Sequence, residues 1–162
     1  MIDSDWLARQ FERNTWIIAA QTDGLTHEQS LQQTPYRVNC LNWTLGHLLE
    51  GRGVVLDLLG APRVVASDET ARYRRESDPI LEDGPDVLPL DRLVAALTES
   101  GAAISAALAA IEESVLAEES EGKDGERTSL GQRVHFQYFH DTYHTGQTEL
   151  LRQVAGIGDK VI

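Results

Sequence analysis

The chain has 162 residues, a length typical of one domain, and we expect a single domain spanning residues 1–162. Its 26 acidic and 14 basic residues give a formal net charge of −12, which repels nucleic-acid backbones and anionic lipid headgroups, so neither is an expected partner. A single cysteine, an N-terminus unlike a signal peptide and the lack of any run of roughly 18 apolar residues predict a cytoplasmic protein without a membrane segment.

Four segments of the chain carry the 3.6-residue spacing of apolar side chains that predicts an amphipathic helix. The first predicted helix runs from about Ser4, which can act as an N-cap, to about Thr22. The second starts near Asn39 or Asn42, either of which can cap it, and runs to Gly60. No segment shows the sustained alternation of a strand, so we expect an all-α fold.

The third and fourth predicted helices lie in the second half of the chain. The third begins after Pro89, which a first helical turn tolerates, and continues to about Val115. The fourth begins near Thr128 or Ser129 and ends at about Val154, before two glycines. Long links separate helices two and three and helices three and four, so neighbouring helices can run parallel or antiparallel.

The two links carry predictions of their own. In the first, residues 67–75 can form a short helix and residues 83–85, Asp-Gly-Pro, predict a turn. The second is strongly acidic, which predicts a solvated loop; a calcium site is the weaker alternative because the spacing of an EF-hand loop is absent. Its acidic residues are Glu112, Glu113, Glu118, Glu119, Glu121, Asp124 and Glu126.

His140 and His144 lie four residues apart on the fourth predicted helix. Side chains at this spacing lie about 5–6 Å apart on one face, close enough to bind one metal ion. At about 100° per residue, Phe136 and Tyr143 fall on the same side, so we expect the pair to face inward among apolar side chains. His135 falls on another side of the helix and is expected at the surface.

A third histidine, His47, falls on the apolar stripe of the second predicted helix, together with Trp43 and Val54. An isolated pair of histidines is more often incidental, but burying three polar rings without a shared role is costly. Three histidines would hold a divalent ion and leave positions for water or substrate, as a catalytic metal site requires. A purely structural metal site and a core without metal are the alternatives.

Four neighbours of the histidines are candidates for the chemistry or for packing. Gln147 can orient a ligand ring, hold a metal-bound water or contact substrate, or it can be a core amide. Tyr143 and Trp43 can wall a pocket, with the Tyr143 hydroxyl donating to substrate, or they can simply pack. Glu50 can be a hydrogen-bond acceptor behind a ligand or a general base, although a solvated helix edge is the more frequent role.

The remaining reactive residues are given structural interpretations. Cys40 is about 10 Å along the helix from the third histidine and is expected in the core. Gly146 is expected to allow tight helix packing. Arg72, Arg74 and Arg75 could meet an anionic cosubstrate, but pairing with nearby carboxylates is favoured in so acidic a chain.

Two motifs in this sequence resemble those of the DinB-like (DinB/YfiT-like) family. The closing motif is His140-Asp-Thr-Tyr-His144-Thr-Gly-Gln147, and the second-helix motif is Asn42-Trp-Thr-Leu-Gly-His47-Leu. The resemblance covers nearly the whole chain and implies an up-down-down-up four-helix bundle. It also implies a divalent metal ion, zinc or nickel foremost and iron as a further candidate, held by the equivalents of His47, His140 and His144.

Family members of known activity include transferases and isomerases that use low-molecular-weight thiols, and members are commonly homodimers. The resemblance therefore implies a metal-dependent, thiol-using transferase or a related hydrolase-like enzyme that acts on a small electrophilic molecule. Its expected partners are a small-molecule substrate, a low-molecular-weight thiol and a second copy of the chain. The alternatives are a non-catalytic bundle with a structural three-histidine metal site and a dimeric interaction domain without metal.

Overall fold

The computed structural model describes residues 3–121 and 125–161, which form a mostly helical fold with one small antiparallel sheet. The helical expectation is therefore confirmed, whereas the sheet was not predicted. The elements in chain order are α1 (Ser4–Thr22), α2 (His27–Ser30), α3 (Leu41–Leu58), a 3₁₀ turn (Ala71–Tyr73), α4 (Leu90–Ala110), α5 (Glu113–Leu116), β1 (Glu119–Glu121), β2 (Arg127–Ser129) and α6 (Leu130–Val154).

The starts of the long helices lie within a few residues of their predicted positions, and two of the capping predictions differ. Asp3, rather than Ser4, caps α1, because its carboxylate accepts a hydrogen bond from the Trp6 amide at 2.9 Å. Helix α3 begins after Cys40, and its predicted cap Asn42 is instead buried and donates to the Leu88 carbonyl at 2.9 Å. At α6 the prediction of a Ser129 cap is confirmed, since a reciprocal capping box forms there.

The third helix and the acidic link differ from their predictions. Helix α4 ends at Ala110 because Ile111 adopts an extended conformation, and α5 follows as a separate turn of helix. The acidic loop is in part a hairpin in which Glu119 pairs with Ser129. The strand carboxylates are exposed, as a solvated segment requires, while Asp124 lies outside the described residues. A hairpin of two three-residue strands is too short to show a period of two in the sequence.

The first link adopts a tighter conformation than predicted. The helical prediction for residues 67–75 is only partly correct, because the regular part is a 3₁₀ turn. The predicted turn is present, since the Val87 amide donates to the Gly84 carbonyl at 3.0 Å. The short helix α2 was not predicted, although its capping box of Thr26 and Gln29 is a recognisable sequence signal.

The four long helices pack in pairs, with α1 and α3 each contacting both α4 and α6. The interior is formed by two apolar clusters. The first includes Leu41, Leu45, Leu48, Leu93, Leu97 and Leu151. The second includes Phe11, Val55, Leu56, Ile104, Leu108 and Val134. Between the two clusters lie buried polar side chains, Arg52 on α3 and Asp141, Thr145 and Thr148 on α6, while His47 lies on α3 among residues of the first cluster.

Within the described residues, one helix, α4, is long and apolar enough to cross a membrane by length and composition alone, with a mean hydropathy of 1.6. The sequence expectation of no such stretch overlooked its alanine-rich middle. Its large side chains, among them Leu93, Leu97 and Ile104, are buried in the interior rather than turned outward. A core helix of a soluble protein has this arrangement, so α4 is not evidence for a membrane span.

Candidate metal centre

Three histidine rings converge where α3 packs against α6. His47 on α3 is buried, and His140 and His144 on α6 are half-buried. The ring centroids lie 4.6–4.9 Å apart, and the Nε2 atoms of His47 and His140 are 3.1 Å apart. Each ring offers one ligand nitrogen, and the three nitrogens lie within 4.8 Å of one another. The predicted meeting of the three histidines is therefore present in the fold.

Hydrogen bonds on the outer sides of two rings determine which nitrogens face the centre. The Nδ1 of His47 lies 2.7 Å from the backbone carbonyl oxygen of Tyr73. The Nδ1 of His144 lies 2.8 Å from the side-chain oxygen of Gln147. Because both oxygens can only accept, each Nδ1 carries the proton, and each neutral ring has its lone pair on Nε2. The arrangement matches the outer support expected of metal-binding histidines.

Tyr73 lies against His47 because α3 has a glycine at position 46. A Cβ atom at Gly46 would lie 2.1 Å from the Tyr73 ring, so only glycine leaves room for the buried tyrosine. On the other side Trp43 stacks on the His47 ring at 4.7 Å, and its Nε1–H donates to the Ser77 hydroxyl at 2.9 Å. The link between α3 and α4 therefore holds His47 from two sides.

The pKa values of the three histidines are lowered, mainly by burial. Burial, together with the His144 and His47 rings, lowers the pKa of His140 to about 4. Burial also lowers the pKa of His47 and of His144, although the bonds to Tyr73 and Gln147 partly offset it. All three rings are thus neutral at neutral pH, which is the protonation state that binds metal ions.

The residues present fit a divalent metal ion. A tetrahedral zinc ion, with bonds of about 2.0–2.1 Å to histidine nitrogens, would hold two such nitrogens about 3.3 Å apart. The His47 and His140 Nε2 atoms, at 3.1 Å, are close to that spacing. Three neutral imidazoles suit zinc, nickel, iron and copper, so the donor set does not select one metal. The cluster could hold a metal ion, and within the described residues no other group of three potential ligands meets in this way.

Glu50 lies near the cluster but is committed to other partners. Its carboxylate accepts from Arg63 Nη1 at 3.0 Å and from the Thr70 hydroxyl, and its side chain is 14% exposed. The expectation of a solvated helix edge is therefore wrong. The negative charge of Glu50 raises the pKa of His47 and so opposes the effect of burial on that ring.

Two residues predicted on the inner face of α6 lie outside the core. Phe136 is 63% exposed and Tyr143 is 60% exposed, although the Tyr143 ring meets His144 edge-on at 5.2 Å. The prediction that Gly146 allows tight packing is wrong, because a Cβ there would meet no atom within 4 Å. His135 is exposed as expected, and Cys40 is buried as expected, with burial raising the pKa of its thiol.

The inner face of α6 is polar, and sequence reasoning missed its central residue, Asp141. Arg52 on α3 binds this carboxylate with two nitrogens, Nε to Oδ2 at 2.8 Å and Nη2 to Oδ1 at 3.3 Å. Asn14 donates to Asp141 Oδ1 at 2.8 Å. The signal that could have found this face is the spacing of four, three and four residues that joins Asp141, Thr145, Thr148 and Arg152, all buried.

The three arginines of the first link contact nearby carboxylates, which is the interpretation that the sequence favoured. Arg72 Nε lies 3.4 Å from the Asp86 carboxylate and Arg74 Nε lies 3.8 Å from the Glu50 carboxylate, and both side chains also donate to nearby backbone carbonyls. Arg75 lies 3.8 Å from the Glu76 carboxylate and is highly exposed.

The mostly helical fold and the three convergent histidines on two packed helices place this chain in the class of candidate metal-binding helical proteins. The DinB superfamily profile matches residues 10–148, a range that includes all three histidines. The chain therefore belongs to the DinB superfamily, as its two motifs indicated.

The fold is also similar to that of a solved structure, described as a conserved protein of locus from Enterococcus faecalis. The TM-score is 0.74 at 13% sequence identity, and the match covers 96% of this chain and 98% of that chain. At this identity the likeness shows the fold alone. Among curated proteins, none matches this sequence.

Proposed function

We propose that this protein is a divalent-metal-dependent enzyme whose metal ion is held by His47, His140 and His144. The observation that carries the proposal is the convergence of three neutral imidazoles, two of them with Nδ1 bonded outward and Nε2 turned to the centre. Zinc or nickel is the proposed ion, with iron as a further candidate. When bound, the ion would acidify a thiol or a water molecule for transfer to a small electrophilic substrate.

The proposed architecture is an up-down-down-up bundle of α1, α3, α4 and α6. Bonds from Asn14 to Asp141 and from Arg152 to the Gln21 carbonyl join the middles and the C-terminal ends of α1 and α6 in the same order. The first apolar cluster joins Leu45 of α3 to Leu93 of α4 and Leu151 of α6, and the second joins Val55 of α3 to Ile104 of α4 and Val134 of α6. These pairings support the same order for α3 and α4 and the opposite order for α3 and α6. The metal centre then lies on the side of the bundle formed by α3 and α6.

The protein's own residues would divide the remaining tasks. Gln147 accepts from His144 and so orients that ring, and its amide nitrogen is free for a substrate group in the described contacts. Tyr143 is exposed beside His144, where its hydroxyl can donate to substrate. Glu50 is the weakest candidate for a general base, since Arg63 and Thr70 already occupy its carboxylate.

The proposed partners are a small electrophilic substrate and a low-molecular-weight thiol. Three neutral ligands leave the full positive charge of the ion in place, which favours binding of a thiolate over a neutral molecule. The net charge of −12 argues against nucleic acid and anionic membranes as partners, and we propose a cytoplasmic location.

We also propose a homodimer that pairs the outer faces of two α6 helices. Phe136, Phe139, Gly146 and Leu150 are exposed and recur at intervals of three, seven and four residues, so they share one face of the helix. None of these side chains is charged, so in a chain of charge −12 the stripe itself adds no repulsion between two copies. An aromatic side chain buries ~150–250 Å² in all, and Phe136 and Phe139 are 63% and 61% exposed, so they supply part of the about 800 Å² per partner that a stable interface needs.

The metal test uses protein prepared without a histidine tag. Elemental analysis is expected to find one divalent ion per chain after metal loading. His140→Ala should weaken titrated metal affinity by more than the about 10–100-fold that loss of an orienting residue causes. His135→Ala is the matched control, because that histidine is exposed on the same helix outside the cluster. An ion-free wild type with unchanged affinity in His140→Ala would refute the proposal.

Catalysis is tested separately with a panel of low-molecular-weight thiols and small electrophiles. Metal-dependent thiol transfer that is lost in His140→Ala and retained in His135→Ala supports the enzyme. The rival is a structural metal that joins helices, which the location of the ligands on both α3 and α6 favours. It predicts that chelation lowers the melting temperature while added thiol leaves the absorption spectrum of the cobalt-substituted protein unchanged.

A further inference from the structure

The ion pair of Arg52 and Asp141 joins all four long helices at one buried point. Besides Asp141 on α6, Arg52 Nη1 donates to the Thr15 hydroxyl on α1 at 3.0 Å and to the Leu97 carbonyl on α4 at 2.6 Å. The side chain of Arg52 is 0% exposed and that of Asp141 is 4% exposed. We call Arg52, Asp141, Asn14 and Thr15 the interhelix node.

The interhelix node lies between the two apolar clusters and within about one and a half helical turns of the histidines. On α3 the first cluster ends at Leu49 and the second begins at Val55, so Arg52 falls between them. On α6 Asp141 directly follows His140 and comes three residues before His144. At about 100° per residue, the Asp141 side chain is offset by about 100° from His140 and by about 60° from His144.

This placement couples the orientation of α6 to the histidine cluster. The hydrophobic effect is not directional, so the two apolar clusters restrain rotation of α6 less specifically than a directional contact does. A planar guanidinium that binds a carboxylate with two nitrogens is such a directional contact. Any rotation of α6 that moved His140 and His144 away from His47 would also break the two hydrogen bonds between Arg52 and Asp141. Buried ion pairs contribute little net stability but can specify one arrangement.

We propose that Arg52 and Asp141 are positioning residues that set the orientation of His140 and His144 relative to His47. They thereby determine metal affinity and ligand geometry more than they determine stability. The inference rests on the proposed function of the histidine cluster as a metal centre.

The test replaces both members of the pair by apolar residues, in the double variant Arg52→Met with Asp141→Leu. Removing one member would leave a buried unpaired charge, whereas removing both avoids that cost. Cobalt(II) is titrated into tag-free protein, and its visible absorption reports both affinity and ligand geometry. The double variant is expected to unfold cooperatively but to bind cobalt about tenfold more weakly, the lower end of the range for residues that orient ligands. Its cobalt spectrum should differ from that of the wild type.

Two further variants keep the test decisive. Val134→Ala truncates a fully buried residue on the same helix outside the interhelix node, so it should lower stability and leave cobalt affinity and spectrum unchanged. Asp141→Asn leaves the Arg52 charge unpaired but keeps the shape and one acceptor oxygen, so it serves if the double variant fails to fold, provided that circular dichroism shows the single variant folded. It should bind cobalt several-fold more weakly with an altered spectrum.

The outcomes separate this inference from the proposed function. If wild-type protein binds cobalt and the folded node variants bind it with the same affinity and spectrum, the positioning role is wrong and the metal centre stands. If Val134→Ala weakens cobalt binding as much as the node variants do, general loss of stability explains the effect and the positioning role is again wrong. If wild-type protein binds no cobalt, both the metal centre and the positioning role are overturned.

Discussion

The histidine cluster and the interhelix node are both buried polar groups on the same two helices, yet their hydrogen bonding differs. In the node, the Asp141 carboxylate and the Arg52 guanidinium are satisfied by Asn14, Thr15 and the Leu97 carbonyl. In the cluster, His47 and His144 use their outer nitrogens on the protein and turn their inner lone pairs to the centre. The polar groups of the node satisfy one another within the fold, whereas the convergent lone pairs of the cluster can bind a cation.

The two regions also differ in charge, since the node holds two paired charges and the cluster holds neutral rings. The node holds opposite charges in contact, so burial is compensated within the protein. The cluster avoids charge altogether, because burial lowers the pKa of each histidine and keeps the rings neutral. Removing one partner of the node should therefore destabilise the fold at any metal concentration, because it leaves a buried charge unpaired, whereas changes in the cluster should matter chiefly when a metal is bound.

The largest effect is expected from breaking one half of the node. Arg52→Leu leaves the Asp141 carboxylate buried without its cation, and loss of one partner of a buried pair costs about 3–5 kcal/mol. The free energy of unfolding of the metal-free protein, measured by urea denaturation, should fall by that amount. A loss below about 1 kcal/mol would mean that water or a rearranged neighbour satisfies the carboxylate, and the contrast with the cluster would weaken.

A smaller loss is expected from Gly46→Ala, which acts on the support of the cluster. The added Cβ would overlap the Tyr73 ring at 2.1 Å, and overpacking typically costs 1–3 kcal/mol. Because the Tyr73 carbonyl holds His47, metal affinity from a cobalt titration should fall together with stability. Gly146→Ala is the control, since its Cβ meets no atom within 4 Å, and replacing glycine in a helix should raise stability by up to about 1 kcal/mol.

The pH dependence of the metal-free protein should report the cluster. The folded-state pKa of His140 is lowered to about 4, below the usual 6.5 that applies when the chain is unfolded. Below pH 6.5 the unfolded chain therefore binds more protons, so stability is full above that pH and is lost as pH falls toward about 4. Urea denaturation between pH 7 and 5 should show this decline, and it should be shallower in His140→Leu. An equal decline in that variant would assign the effect to other groups.

The long helices and the three histidines could be predicted because the signals are local. The apolar spacing and the Ser129 capping box define α6 within two residues, and spacing of four on one helix brings His140 and His144 together. That His47 joins the other two histidines could be predicted because it lies on the apolar stripe of its helix. The three-residue strands of the hairpin carried no comparable local signal.

The inner face of α6 could not be predicted because its partners are on other helices. Because both residues are apolar or aromatic, the sequence predicted that Phe136 and Tyr143 face inward, but both are exposed. The true inner face carries Asp141, whose burial is compensated by Arg52, a residue 89 positions away in sequence. Apolar periodicity is based on the free energy of transferring single side chains from water, and it does not include the stabilisation of a buried charge by a partner on another helix.

The smallest effect is expected from replacing a histidine of the cluster in the metal-free protein. His140→Leu substitutes an apolar side chain of similar size for a half-buried neutral ring that shares its one inner hydrogen-bond contact with His47. The free energy of unfolding without metal should change by less than about 1 kcal/mol, since swaps that conserve volume are well tolerated. The stabilisation that excess cobalt gives the wild type should be absent from the variant, because a ligand stabilises only the state that binds it. A large loss of metal-free stability would instead mean that the histidines are structural groups on which the fold itself depends.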